Sequence, residues 1–155
     1  MSDHLFLKSL HLLGAVIFLG NIIVTAVWKV LADRTQNPAI VANAQRLVTV
    51  TDFVFTAPGA ALILVTGLLM APAFGGLHEI LWLSWGVGLF IASGVIWAVV
   101  LIPVQVMQAR MARHFAAGED IPARYWKLSR IWIGFGLVAT ILPLANLYFM
   151  VFKPG

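Results

Sequence analysis

The chain has 155 residues, of which 61% are hydrophobic and 10% charged, with a mean hydropathy of +0.96 and a net charge of +4. Soluble domains hold roughly 45–50% apolar and about 25% charged residues, so a water-soluble globule is excluded and one membrane domain, without a separate soluble module, is expected. The absence of cysteine excludes disulfides, thiolate metal sites, covalently attached haem and a cysteine nucleophile.

A bilayer core of about 30 Å requires about 20 apolar residues in helix. Four runs satisfy this, at residues 5–31, 50–71, 81–107 and 131–152, and they predict an all-α integral membrane four-helix bundle. The first run contains FLKSLHLLGAVIFLGN, in which an imidazole, His11, stands among mostly apolar neighbours. A cleaved signal would have a shorter apolar region of about 7–15 residues, so an uncleaved helix is expected. His11, Gly14, Phe18, Asn21 and Thr25 recur at steps of three or four, which places them on one face, and that face should turn into the bundle.

The second span has a comparable stripe of Asp52, Thr56, Gly59, Ile63, Thr66 with Gly67, and Met70. Asp52 is expected to pair with Lys29, Arg46 or Arg130, or to cap the helix whose first turn it occupies, with a proton relay as the functional alternative. The third span offers Gly86, Phe90, Ser93 and Trp97, and the fourth Gly136, Thr140, Pro143, Asn146 and Met150. Pro58, Pro103 and Pro143 fall inside spans, which membrane helices tolerate because neighbours satisfy the freed carbonyls. Trp28, Trp82, Trp126 and Trp132 fall near span ends, where aromatic belts lie. AGED at 117–120 reads as a turn, and IPARYWKLSR as a basic amphipathic stretch on the membrane surface that could meet anionic lipid head groups.

Eight of the ten Lys and Arg lie in the segments joining spans one to two and three to four: Lys29, Arg34, Arg46, Arg110, Arg113, Arg124, Lys127 and Arg130. Only Lys8 and Lys153 lie on the other side. By the positive-inside rule both termini face away from the cytoplasm, and the expected location is a bacterial inner membrane. Topology thus accounts for the positive charge, and no nucleic-acid partner is implied.

At about 1.5 Å per residue, His11 lies about 9 Å inside its span, level with Thr66, Gly67, Gly86, Gly88 and Asn146. A planar cofactor needs such a layer, with a ligand on one helix and glycines opposite. The structural alternative is an imidazole bonded to a neighbouring carbonyl. His4 and His78 are on the same side as His11 and could join it around a metal, whereas His114 reads as a loop residue. Met70 and Met150 are expected to pack. No phosphate loop, nucleophile elbow, HExxH or paired acidic motif is present.

HLLGAVIFLGNIIVTAVWKVLADRT, RLVTVTDFVFTAPGAALILVTGLLM and the closing LYFMVFKPG resemble a bacterial family of uncharacterised predicted integral membrane proteins across nearly the whole chain. That family is more distantly similar to the HemJ-type membrane protoporphyrinogen oxidases and the CopD-like copper-resistance proteins. The pattern shared with the HemJ type comprises His11 and Gly20, Arg46 and Leu47, Pro58 and Gly59, Trp82 and Leu83, and Lys153 with Pro154. Through it, the resemblance implies a b-type haem on His11. The HemJ type also has a lysine early in its third helix, a Tyr-His pair ending its first and an Asn-Glu-Ala-Pro run opening its fourth. Here these are WLSWGVG, Val30 with Leu31, and SRIWIGFG, so protoporphyrinogen oxidation does not carry over.

The expectation is therefore a membrane haem protein of electron transfer or haem-linked oxidation. Its cofactor site would comprise His11, Gly14, Gly67, Gly86, Gly88 and Asn146, with His11 on the metal and a quinone or respiratory subunit as partner. The alternatives are a cofactor-free scaffold or accessory subunit, and a metal or small-solute transport component. Glycine stripes would serve a homo-oligomer as well as internal packing.

Overall fold

The computed structural model describes residues 2–76 and 80–154, and every regular element among them is helical. Helix α1 runs Ser2–Thr35. Two residues then reverse the chain: Gln36 takes a left-handed φ of 53°, and the Asn37 side chain accepts from the N–H groups of Ala39 and Ile40 at 3.0 and 3.3 Å. Pro38 follows at the first turn, where its missing N–H costs nothing. The second span thus begins well before the apolar run that marks it in the sequence.

That span is α2 (Pro38–Thr51), a π-turn (Asp52–Thr56), α3 (Ala57–Met70) and a closing 3₁₀ turn (Ala71–Phe74). The third repeats the pattern with α4 (Leu81–Ile96), a π-turn (Trp97–Leu101) and α5 (Ile102–Phe115). In each, the bond that defines the widened turn spans five residues, from Ala57 N–H to Asp52 C=O and from Ile102 N–H to Trp97 C=O. Proline is the next residue in both, Pro58 and Pro103. Proline has no N–H, and its ring collides with the carbonyl one turn back, so one extra residue in that turn relieves the conflict.

Helix α6 is continuous over Ala123–Phe152. The stretch expected to lie along the membrane surface is instead its first two turns, because Tyr125, Leu128 and Ser129 face the bundle and are buried there.

The four spans pack as two pairs. Helix α1 crosses α3 where Gly14 meets Gly59; a Cβ on Gly59 would stand 3.0 Å from the Phe18 backbone nitrogen, so only glycine allows this approach. Helix α4 lies on α6, tied by Ser93 Oγ donating to the Ala139 carbonyl at 2.7 Å. The pairs are joined at one end, where α2 packs on α5 and α1 and α5 on α6, around Val41, Phe115 and Tyr125 and around Val48, Leu101 and Trp132. Helices α3 and α4 have no extended contact, and at the other end the pairs meet through the 3₁₀ turn, where Ala71 and Phe74 pack with Trp82, Leu83, Phe149 and Met150.

At that end Lys153 Nζ stands 4.8 Å from the Phe74 ring and 5.3 Å from the Trp82 ring, and the His4 ring is 6.0 Å from that of Phe74. This terminal end is opposite the basic end, which bears Arg34, Arg110 and Arg124. Four helices are long and apolar enough to cross a membrane. Large apolar side chains cover the outside, Val16 being 71% and Val99 68% exposed, as lipid contact requires.

Candidate functional site

The stripes read from the sequence do face inward: Gly14, Phe18, Thr25, Thr56, Gly59, Thr66, Gly86 and Ser93 are buried. They fall into two contact groups: His11, Gly14 and Gly67 belong to the α1–α3 pair, and Gly86 and Asn146 to the α4–α6 pair. Gly14 is filled by the Gly59 carbonyl and Ile63, Gly86 faces Met150 and Asn146, and Gly88 has an open side exposed on the outer surface.

His11 itself is held in a defined way. Its Nδ1 lies 3.0 Å from Thr66 Oγ1, and the Ile63 carbonyl is alongside. The Thr66 hydroxyl donates to the Leu62 carbonyl, so it accepts from Nδ1–H, and the lone pair of the ring is then on Nε2. A metal-ligating histidine is oriented in this manner by a partner on its other nitrogen. The residues therefore fit one axial ligand and nothing more of a haem site. Among the described residues, no group of three or more His, Cys, Asp or Glu could hold a metal ion. His78 lies outside the described residues, and His114 is exposed near the end of α5.

A cavity lies elsewhere, between the four spans toward the basic end. It measures about 520 Å³ and is walled mainly by apolar side chains, among them Phe18, Ile22, Phe90, Trp97, Leu101 and Trp132. Ile23 and Val27 of α1 and Ile133 and Leu137 of α6 line it and are also exposed on the outer surface, so it opens toward the lipid between these helices. A mostly apolar concavity of this size with few polar groups is the usual form of a small-molecule site.

Its polar feature is Asp52, which is 8% exposed. None of the pairings expected from the sequence is made. Asp52 lies in the π-turn, in mid-span, with no cation beside it, because the helix starts a full 14 residues earlier at Pro38. Thr56 Oγ1 donates to its Oδ1 at 2.9 Å, and Asn21 Nδ2 donates to Thr56 Oγ1 at 2.8 Å and reaches Oδ1 at 3.4 Å, whereas the Trp97 indole N–H, whose ring also lines the cavity, has no hydrogen-bond partner among the described residues.

Toward the basic end, α1 is clasped to α6 by polar contacts. Lys29, counted from the sequence as an interfacial cation, is wholly buried; its Nζ donates to Asp33 at 3.1 Å and to Tyr125 Oη at 3.0 Å, over the Tyr125 and Trp132 rings. Ser129 Oγ donates to Asp33 Oδ2, and Tyr125 Oη lies 3.3 Å from Gln45 Oε1. Trp132, expected in an aromatic belt, is buried and donates to Gln105 Oε1 at 3.2 Å. Sequence reasoning missed Gln45, Gln105 and Tyr125. The signal available was the 3.6-residue spacing of Gln105, Gln108, Ala112 and Phe115 on one face of α5.

A family model described as predicted integral membrane protein (DUF2269) matches residues 5–154. No curated protein and no solved structure matches the chain. The wider likeness to the HemJ-type and CopD-like proteins rests on the sequence pattern alone.

Proposed function

The chain belongs to this family of predicted integral membrane proteins, and on that premise we propose that it binds a lipophilic small molecule inside its helix bundle, entering from the bilayer between α1 and α6. One observation carries this reading: the cavity of about 520 Å³ is apolar on most of its wall and contains a carboxylate in mid-span. Tight packing through small residues is how membrane helices associate, and a void of this size forgoes those contacts, so a ligand that fills it restores them. A quinone, the partner expected from the sequence, belongs to this class of molecule.

The test is fluorescence quenching by a brominated aromatic hydrocarbon added to detergent-purified protein, since Trp97 and Trp132 line the cavity. Saturable quenching is expected, and Gly94→Leu should weaken it at least tenfold, because Gly94 lines the cavity with nothing within 4 Å of its Cβ position. Linear, unsaturable quenching unaffected by that variant would refute the reading.

A second reading is favoured by the His11–Thr66 contact: a b-type haem bound by His11 Nε2, its second ligand coming from outside the residues named for the site. When bound, haem supplies one-electron chemistry. Here the chain contributes an orienting hydrogen bond and one nitrogen ligand. A dithionite-reduced minus oxidised spectrum of protein made under haem-replete conditions should then show b-type bands that His11→Ala abolishes and Thr66→Val weakens. The same proposal places the basic end in the cytoplasm of a bacterial inner membrane, and a periplasmic reagent should then label a cysteine at Lys153 and not one at Arg124.

A further inference from the structure

We infer that the molecule bound in the cavity is an organic cation with an apolar body, and that Asp52 is its counter-ion. The inference rests on the cavity reading and narrows it by chemistry. Two donors reach the Asp52 carboxylate, from Thr56 and Asn21, and neither carries charge. Among the described residues the ion pair formed is Lys29–Asp33, and Asp52 takes part in none. A carboxylate within a bilayer is normally paired or neutralised, because hydrocarbon cannot solvate its charge.

The cavity offers few free hydrogen-bond donors to a neutral acceptor such as a quinone. The hydroxyls on its wall have already committed their protons to backbone carbonyls: Thr25 to Asn21, Ser93 to Ala139 and Thr140 to Gly136, at 2.7, 2.7 and 2.8 Å. The Trp132 indole N–H is committed to Gln105 Oε1. What remains on offer is the single unpartnered Trp97 indole N–H, negative charge and the faces of aromatic rings, and the last two attract a cation.

A proton and the cation then compete for one carboxylate. The groups facing Asp52 are Asn21 and Thr25 from α1, Thr56 on its own turn, Trp97 and Gln105 from the third span and Trp132 from the fourth, and none of these titrates near neutrality. The nearest charge along α1 is Lys29, two turns away and engaged with Asp33 and Tyr125. Cation binding should therefore release one proton, and affinity should rise with pH until Asp52 is ionised.

The experiment is isothermal titration of the purified full chain with tetraphenylphosphonium and, separately, with neutral triphenylphosphine oxide, across pH. The expected result is phosphonium binding that tightens by about tenfold per pH unit below the ionisation of Asp52. It should weaken at least tenfold and lose its pH dependence in Asp52→Asn, and keep that dependence in Asp52→Glu. The oxide should bind more weakly, and equally to wild type and Asp52→Asn. Should Asp52→Asn fail to fold, the wild-type pH series and Asp52→Glu still decide. If the oxide binds wild type as tightly as the phosphonium, or phosphonium binding ignores pH and Asp52→Asn, the cation inference is wrong while the cavity stands. If neither probe binds wild type, the cavity reading falls and takes the inference with it.

Discussion

Lys29 and Gln108 are both wholly buried polar side chains, yet their surroundings differ. Lys29 is matched by Asp33, Tyr125 and two aromatic rings, so removing it leaves a carboxylate without its partner in a poorly solvated place. Breaking one side of a buried pair costs about 3–5 kcal/mol. Lys29→Met is therefore expected to lower stability by that order, measured by reversible unfolding of the purified protein. Gln108 has no hydrogen-bond partner for either amide atom among the described residues. An unmet buried polar group costs about 1–3 kcal/mol, so Gln108→Leu should raise stability in the same assay. The identity of Lys29 was plain in the sequence, but its burial was not, because its partner Tyr125 lies 96 residues away.

At the scale of the elements, two features set the geometry. The α1–α3 crossing depends on Gly14 and Gly59, where a side chain would meet backbone that cannot yield. Gly59→Val is expected to force the pair apart at a cost of about 1–3 kcal/mol or more, whereas Gly20→Ala, with nothing within 4 Å, should leave the unfolding midpoint unchanged or slightly raised. The paired π-turns are the second feature, and both line the cavity, through Asp52 and Thr56 in one and Trp97 and Leu101 in the other. Pro58→Ala supplies an N–H and removes the ring that demands the widened turn, so the span can return to α-helical register and rotate Asp52 away. Phosphonium affinity should fall several-fold while helical circular dichroism is retained. The prolines were visible in the sequence, and the widened turns were not, since a kink, a water or a neighbour could equally have absorbed them.

For the whole molecule, the arrangement of two pairs explains where the cavity lies. The pairs are joined at the basic end, and just beyond the Lys29–Tyr125 clasp α1 and α6 leave the opening through which the cavity meets lipid. Linking Val27→Cys to Ile133→Cys with a short bifunctional reagent, in a chain that has no other thiol, should close this opening. The expected outcome is ligand association at least tenfold slower in stopped-flow quenching, with equilibrium affinity changed little. An unchanged association rate would mean that the ligand enters by another route. At the terminal end the pairs meet through Ala71, Phe74, Trp82 and Met150, with His11 and Gly67 in one pair and Gly86 and Asn146 in the other.

Four spans, an all-helical membrane fold and the inward faces were determined by the sequence alone. Span length against bilayer thickness and the periodicity of small and polar residues are local properties, legible one helix at a time. Which faces meet was decided only by the tertiary structure. The depth of His11, Gly86 and Asn146 follows from counting residues, but which neighbours each one meets follows from the pairing of α1 with α3 and of α4 with α6, which no single helix records. Asp52 was read as an interfacial residue because apolar content marks where a span becomes hydrophobic, not where its helix begins. The Asn37 cap and Pro38 start that helix early, and this carries Asp52 into mid-span, against a cavity built by all four helices.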